Sequence, residues 1–307
     1  MSPAAGGPQG RALWTMQGGD ITVQNVEFRG ARSTDADGSG IRQEGGRLAV
    51  VDCAFFDNEH GIITTNADDA ELSIDRSLFA QAPKVVGGLA HLLYVGRIAK
   101  LTITGSRFHQ GFEGHMIKSR ARETRIHYNL IHDGENGEAS YEIDLPNGGL
   151  VTLVGNVIGQ SASSQNPVLV AYGTEERPWP DSRLYVAHNT FVSQRWLPAW
   201  FLRVFKDRLP ASVQVHAVNN LTVGPGVFSL GNPGEFAGNA SATSSTLYAP
   251  AAMSFELEPG SWLRGRGVDP RHVGGLDLAP RAEFMLPIGT RPVAPRTRDW
   301  TPGAFQR

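Results

Sequence analysis

A single cysteine stands among the 307 residues, so the chain cannot form an intrachain disulfide. This residue, Cys53, lies inside the apolar segment VVDCAFF, where a small buried side chain is expected. The sequence also lacks an apolar run close to the roughly 18 residues that span a membrane. Its first residues show no basic start followed by an apolar core. A disulfide-stapled fold and a membrane helix are therefore excluded, and no signal peptide is visible.

A surplus of charge of one sign is missing as well. Lys and Arg total 28 against 30 Asp and Glu, a net charge of -2, which gives no general attraction to nucleic acid or to an anionic membrane. We expect neither as a partner, and any function that depends on charge must be local. The chain is rich instead in Gly (36) and Pro (19), which favours many short strands joined by tight turns.

An internal repeat accounts for this composition. Eight segments alternate aliphatic residues; an apolar anchor ends each of the first seven, and Leu221 follows the eighth. The anchors recur about every 28 residues, a spacing typical of solenoids. The period of two predicts that each segment is a strand with one buried face. The segments are 21–28, 48–55, 72–79, 101–108, 124–131, 151–158, 184–191 and 213–220.

Small or amide side chains stand two places before the anchors. The last four are Asn129, Asn156, Asn189 and Asn219, and we expect them to stack as an internal asparagine ladder. A buried unpaired amide would cost a few kcal/mol, and a ladder removes that cost by pairing each amide with the next. The earlier residues of this column are Val26, Cys53, Ser77 and Ser106.

A second strand follows each anchor, and a shorter third strand completes the turn. This arrangement predicts an all-β, right-handed parallel β-helix of about eight coils over residues 1–230. The tail, 231–307, is rich in Pro, Gly and Ala and is expected to pack on or cap the same domain. The second strands are 40–45, 61–66, 91–96, 115–120, 141–146, 168–173 and 201–206.

Polar residues concentrate on the central second strands. Alignment places Tyr94, Lys118 and Asp144 in one outward column, about 4.8 Å apart per coil. Arg42 and Glu44 are expected two coils from Lys118, with Thr64 and Thr65 between them. The next outward positions hold His91, Arg120 and Glu142, and the same stretch carries His115, Arg122, Tyr141 and Asn147. Such a column is either a solvated surface with an ion pair or a functional site on a rigid scaffold.

The coil pattern resembles the pectate-lyase-like β-helix superfamily over roughly residues 12–230. Within it, HMIKSRARETRIHYNLI (115–131) is similar to the alginate lyase and chondroitinase B family. The resemblance implies a secreted or periplasmic polysaccharide lyase in which Lys118 abstracts the proton beside a uronate carboxylate. The family's Leu-Arg-His-Gly run is replaced here by YEIDLPNGG (141–149), so its catalytic acid and its calcium ligands do not carry over.

β-Elimination needs a cation at the carboxylate, a base, and an acid for the departing oxygen. Arg120 and Arg122 would lower the pKa of Lys118, as a base requires, whereas an ion pair with Asp144 would oppose this. Tyr94 or His91 is expected as the acid. Carboxylate binding is expected from Arg120, Arg122 or Arg42, with Glu44, His115, Tyr141 and Asn147 as further substrate contacts.

Other interpretations stay open. Glu142 and Asp144 could bind a hard cation such as Ca²⁺, although two carboxylates make an incomplete site. A glycoside hydrolase would use Glu142, Asp144 and Glu44, and a non-catalytic solenoid would only bind its partner, an acidic polysaccharide or oligosaccharide. The remaining histidines, His60 among them, are expected at turns or on the surface. Three tryptophans in long insertions either wall the groove or pack those insertions: Trp179, Trp196 and Trp200.

Overall fold

A computed structural model describes residues 10–84, 89–164, 166–295 and 297–306 of the chain. Within these residues, three parallel sheets of nine strands each stack into a solenoid, and no helix is long and apolar enough to cross a membrane. The prediction of an all-β parallel β-helix of about eight coils is confirmed.

Every coil contributes one strand to each sheet. Sheet 1 consists of Ala12–Met16, Ser39–Gln43, His60–Thr64, Leu93–Val95, Ile117–Ser119, Ile143–Leu145, Val168–Tyr172, Ala199–Val204 and Gly226–Val227. Sheet 2 consists of Asp20–Gln24, Arg47–Val51, Ala67–Asp75, Ile98–Thr104, Glu123–His127, Leu150–Val154, Arg183–Ala187, Gln214–Val218 and Phe236–Ala237. Sheet 3 consists of Glu27–Arg29, Ala54–Phe56, Leu78–Ala80, Arg107–His109, Leu130–His132, Val157–Gln160, Thr190–Ser193, Leu221–Val223 and Ala240–Ala242.

Each repeated segment of the sequence forms two short strands, not one. A residue with positive φ, such as His188 at 52°, turns the chain between sheet 2 and sheet 3. This conformation rotates the strand that follows, so the segment bends sharply at a fixed position in every coil. The bend residues are Asn25, Asp52, Arg76, Gly105, Tyr128, Gly155, His188 and Asn219.

Identical side chains stack along the inside of the coil. The rings of Phe28, Phe55, Phe79 and Phe108 lie nearly parallel, with centroids 5.0, 4.5 and 4.6 Å apart. These rings and the aliphatic residues around them are buried in one continuous core. Because burial is repeated in every coil, the scaffold that carries the outward side chains is rigid.

The asparagine ladder is present, but its last predicted member is wrong. The amide Nδ2 of Asn156 donates to Oδ1 of Asn189 at 2.9 Å, and Asn189 donates to Asn220 at 3.0 Å. Asn219 is instead the bend residue, and its amide pairs with the backbone of Val268 in the tail. Two asparagines are adjacent at this bend, so the sequence pattern alone does not distinguish the bend residue from the ladder residue. The complete ladder is Asn129, Asn156, Asn189, Asn220 and Asn239.

The tail beyond the last coil packs along the side of the solenoid. Parallel pairing continues to Ala242, and the following chain forms the antiparallel pairs Leu247–Ala249 with Ser254–Leu257 and Ala282–Phe284 with Thr290–Pro292. Its apolar residues cover the outward side of sheet 3. Three short 3₁₀ turns occur among the described residues, at Lys206–Arg208, Ser244–Thr246 and Pro250–Ala252.

Candidate functional site

The outward column predicted on sheet 1 is present. Tyr94 is paired with Lys118, and Lys118 with Asp144, in three neighbouring strands. The alternate residues Leu93 and Ile117 point into the core. The β-strand register thus holds a phenol, an ammonium and a carboxylate in line on one rigid face.

Four aromatic rings stack beside this column. His60, His91, His115 and Tyr141 follow one another in successive coils, with ring centroids 5.6, 4.9 and 4.7 Å apart. The expectation that His60 lies at a turn or on the surface is wrong, since it is buried in this stack. The stack forms one wall of the site.

Backbone contacts set the tautomers in the stack. Nδ1 of His91 accepts from the backbone N–H of His115 at 2.7 Å, and Nδ1 of His115 accepts from Tyr141 at 3.2 Å. Burial lowers the pKa of His115 to about 4 and that of His91 well below its usual range. Both rings are therefore neutral at pH 7 with the proton on Nε2, which makes His91 a poor catalytic acid.

The Lys118 ammonium lies between two carboxylates. Its Nζ is 3.0 Å from Asp144 and 2.8 Å from Glu175. Burial alone would lower the pKa of Lys118, but the attraction of Asp144 and the hydrogen bonds to both carboxylates hold it above its ordinary value. A lysine that serves as a neutral base needs a lowered pKa, whereas the pKa of Lys118 is raised. In this geometry Lys118 therefore acts as a cation.

Arg120 adds a second cation to the same place. Its guanidinium donates to both carboxylate oxygens of Glu175 at 2.8 Å, and its Nη1 donates to the Tyr94 hydroxyl oxygen at 2.6 Å. Burial opposes ionisation of Glu175, yet the hydrogen bonds from Lys118 and Arg120 lower its pKa. We call Lys118 and Arg120, which converge on this one carboxylate, the cation fork.

Asp144 is the buried counterion of the fork. Its side chain is only 1% exposed. It accepts a hydrogen bond from Thr174 Oγ1 at 2.8 Å, and Nε2 of His115 lies 3.5 Å away. The contacts with Thr174 and His115 hold the Asp144 carboxylate next to the Lys118 ammonium.

Glu175 was missed from the sequence. It lies 57 residues after Lys118, in a loop spanning 173–182 that folds back over the preceding coils. Within the loop, Trp179 donates to the backbone oxygen of Arg120 at 3.0 Å, and the Arg97 guanidinium lies 3.8 Å from its ring centroid. Trp179 therefore packs the insertion. The only sequence signal for this loop was the run of polar residues directly after an apolar sheet 1 strand.

Glu142 does not share a face with Asp144, and this expectation is wrong. It aligns with Met116 and Leu169, which belong to the core, and its side chain is fully buried. Burial raises the pKa of Glu142 well above its usual range, which favours the protonated carboxyl. The reason is that the chain turns a corner just before the Ile143–Leu145 strand, and the period-two alternation does not extend to residue 142.

The proposed cation site does not fit this arrangement. Asp144 faces Lys118 on sheet 1 while Glu142 is buried inside the coil, so the two carboxylates cannot share an ion. Across the described ranges, no group of three or more His, Cys, Asp or Glu side chains is arranged to hold a metal. The negative charges of Asp144 and Glu175 are balanced by Lys118 and Arg120.

Arg42 lies farther from Lys118 than expected. Ile63 and Tyr94 occupy the two strand positions between Arg42 and Lys118, so these two residues are three coils apart and not two. The prediction that Thr64 and Thr65 fill the intervening positions is therefore wrong. A cavity of about 430 Å³ nevertheless links Arg42 to the main cluster. Its lining includes Asp37, Arg42, His60, Thr64, His91 and Tyr94.

Three of the predicted substrate contacts lie outside the cluster around Lys118. Glu44 pairs with Arg42 at 3.3 Å, outside the cluster. Asn147 is buried and donates its amide to the backbone oxygen of Glu176 at 2.8 Å, which anchors the 173–182 loop. Arg122 is exposed beyond the end of the Ile117–Ser119 strand. The structure therefore brings together Tyr94, His91, His115, Lys118, Arg120, Tyr141 and Asp144, and it adds Glu175 and His60.

Comparisons of the chain with protein-family models, with curated proteins and with solved structures found no match. The parallel β-helix is therefore established by the strand pairing itself.

Proposed function

We propose that the chain is a polysaccharide lyase that cleaves a uronate-containing polymer by β-elimination on the face of sheet 1. One observation carries the proposal. The cation fork, Lys118 and Arg120, binds a carboxylate within 2.8 Å, directly beside the Tyr94 hydroxyl and at the edge of an open cavity. A uronate at this position would have its carboxylate neutralised and its ring next to a phenol oxygen.

The reaction breaks the bond between C4 and the glycosidic oxygen and forms a C4–C5 double bond, with loss of the C5 proton. The fork stabilises the negative charge that spreads into the substrate carboxylate as this proton leaves. Tyr94 first releases its hydroxyl proton to water; its oxygen then accepts the C5 proton and delivers that proton to the departing oxygen, so it ends the cycle ready to accept the next C5 proton. Arg120 stays hydrogen-bonded to the phenol oxygen in both steps.

This assignment changes two expected roles. Lys118 binds the substrate carboxylate and does not remove the proton, because the contacts with Asp144 and Glu175 keep it charged. His91 donates a hydrogen bond only, since its single proton is on Nε2 and its Nδ1 is occupied by backbone. Tyr94 is then the proton-transfer group of the cluster.

The residues around Lys118 resemble those of a known lyase family, which supports the same proposal. The Lys118-Ser119 pair ends a sheet 1 strand and is followed by Asn129, the first asparagine of the ladder, as in the alginate lyase and chondroitinase B family. A secreted or periplasmic location would follow from that kinship and from a polymeric, acidic substrate. Glu142 and Asp144 lie on different faces, which distinguishes this site from the family's pattern of calcium-binding acidic residues.

A glycoside hydrolase is the second candidate, and one observation favours it. Asp144 and Glu175 both lie within hydrogen-bond distance of Lys118 Nζ, so two carboxylates flank the same point. The trio first considered for this chemistry is not assembled, because Glu142 is inside the coil and Glu44 lies with Arg42. The ion pairs leave neither carboxylate free as an acid, which favours the lyase.

A panel of acidic polysaccharides tests the proposal. Alginate, polygalacturonate, hyaluronate and chondroitin are incubated with the protein, with and without chelator, and the unsaturated product is followed by ultraviolet absorbance. We expect unsaturated product that chelator does not suppress. New reducing ends without unsaturation would establish the hydrolase, and retention of polymer without cleavage would establish a binding protein.

A further inference from the structure

The two carboxylates that hold Lys118 differ strongly in exposure. The Asp144 side chain is 1% exposed, whereas that of Glu175 is 39% exposed. Removing Asp144 from the ammonium would leave a buried charge without a partner, which is costly. The Glu175 side chain can move into water at much lower cost, because a half-exposed carboxylate regains hydration.

The backbone around Glu175 is held by contacts that do not involve the Glu175 carboxylate. The Glu175 backbone N–H donates to Pro146 O at 3.0 Å, and Trp179 N–H donates to Asn147 O at 2.9 Å. Thr174 is bound to Asp144 on the other side of Glu175. Among the described residues, the Glu175 carboxylate accepts hydrogen bonds from the cation fork alone. Rotation of one side chain therefore opens the fork without moving the loop.

We propose that the cation fork is a carboxylate-binding subsite which Glu175 occupies in the resting protein and which a sugar carboxylate takes over by exchange. The inference rests on the proposed function in one respect, the identity of the ligand as a uronate. The exchange conserves charge, because one carboxylate replaces another between Lys118 and Arg120.

Specificity follows from this competition. A neutral sugar supplies no anion, so it cannot compensate the two cations when Glu175 leaves. A uronate supplies a planar carboxylate that matches the bidentate geometry of Arg120. Glu175 thus excludes neutral glycans and weakens the binding of every carboxylate ligand by the same competition.

Binding of free glucuronate tests the subsite without any need for cleavage. Isothermal titration compares the parent protein, Glu175→Gln and Glu176→Gln, with glucose as the neutral ligand. Glu176 is exposed in the same loop, so its variant matches the change in charge. We expect Glu175→Gln to bind glucuronate about tenfold or more tightly than the parent, with Glu176→Gln unchanged and glucose unaffected. An Arg120→Gln change added to Glu175→Gln should remove the gain.

Two results would overturn the inference. The first is glucuronate binding by Glu175→Gln that is no tighter than binding by the parent, or no binding by either of these two proteins. The second is an equal gain in affinity for glucose, or an equal gain for glucuronate in Glu176→Gln. The outcome is separable from that of the lyase proposal. Tighter glucuronate binding without cleavage of any polymer keeps the subsite and removes the lyase. Polymer cleavage with no gain in Glu175→Gln keeps the lyase and removes the subsite.

Discussion

Arg120 donates a hydrogen bond to the Tyr94 hydroxyl oxygen across 2.6 Å, joining two neighbouring coils of sheet 1. The same guanidinium binds Glu175, so one side chain connects the phenol to the carboxylate position. This link makes proton transfer and carboxylate binding parts of one site.

Tyr94→Phe should lower the cleavage rate by about 100-fold or more, because it removes the only proton-transfer oxygen assigned in the cluster. The aromatic ring is retained, so its contact with His91 persists and the melting temperature should change little. Initial rates of unsaturated product formation provide the measurement. Near-parental kcat in this variant would assign proton transfer to another group.

Lys118→Ala should cost stability as well as activity. The side chain is 11% exposed and is paired with the buried Asp144, so its removal leaves a carboxylate uncompensated. We expect a loss of about 2 to 4 kcal/mol in the free energy of unfolding. The double variant Lys118→Ala with Asp144→Asn should regain part of that loss in denaturant titrations. An unchanged stability in the single variant would show that the pair is solvated.

Asn156→Leu should destabilise the protein by about 1 to 3 kcal/mol, because the side chains of Asn129 and Asn189 each lose their partner in the ladder. The exposed change Thr22→Leu on a sheet 2 strand serves as the control and should have little effect. Thermal melts of the two variants compare them directly. Equal melting would refute a stabilising ladder.

Glu142 should make stability depend on pH. Its folded-state pKa is raised by burial above the ordinary value of 4.5. The native state therefore holds this proton more tightly than the unfolded chain does. The contribution of Glu142 to the free energy of unfolding falls as pH rises above about 4.5 towards the folded pKa. Glu142→Gln should be more stable than the parent at pH 7, and the difference should shrink near pH 4.

Denaturant titrations across this pH range measure the effect. Glu135→Gln, at an exposed position in the same connection, should follow the parent at every pH. A constant difference between Glu142→Gln and the parent would show that the carboxyl has an ordinary pKa in the folded protein.

Deletion of residues 243–307 should produce an aggregating protein. The tail residues Leu247, Phe255 and Phe284 cover Val157 and Val192 on sheet 3, and their loss would expose an apolar face several strands wide. Light scattering after expression of the truncated chain is the readout. A soluble, monomeric product that melts as the parent does would contradict this role of the tail.

The repeat was readable from the sequence because its causes are local. Period-two alternation and a recurring apolar anchor mark successive coils, and each is a property of a few neighbouring residues. Regular coils also determine register, which is why Tyr94, Lys118 and Asp144 could be placed in one column. Within the ladder, the error of Asn219 for Asn220 arose where two asparagines are adjacent.

Tertiary structure decided what lies opposite that column. Glu175 reaches Lys118 from a loop outside the repeat, and no spacing in the sequence connects residues that meet only when a loop folds back. The inward direction of Glu142 depends on a corner that precedes its strand, where alternation stops. The protonation of Lys118 followed from these contacts, since a pKa depends on every charge within a few ångströms regardless of its place in the chain.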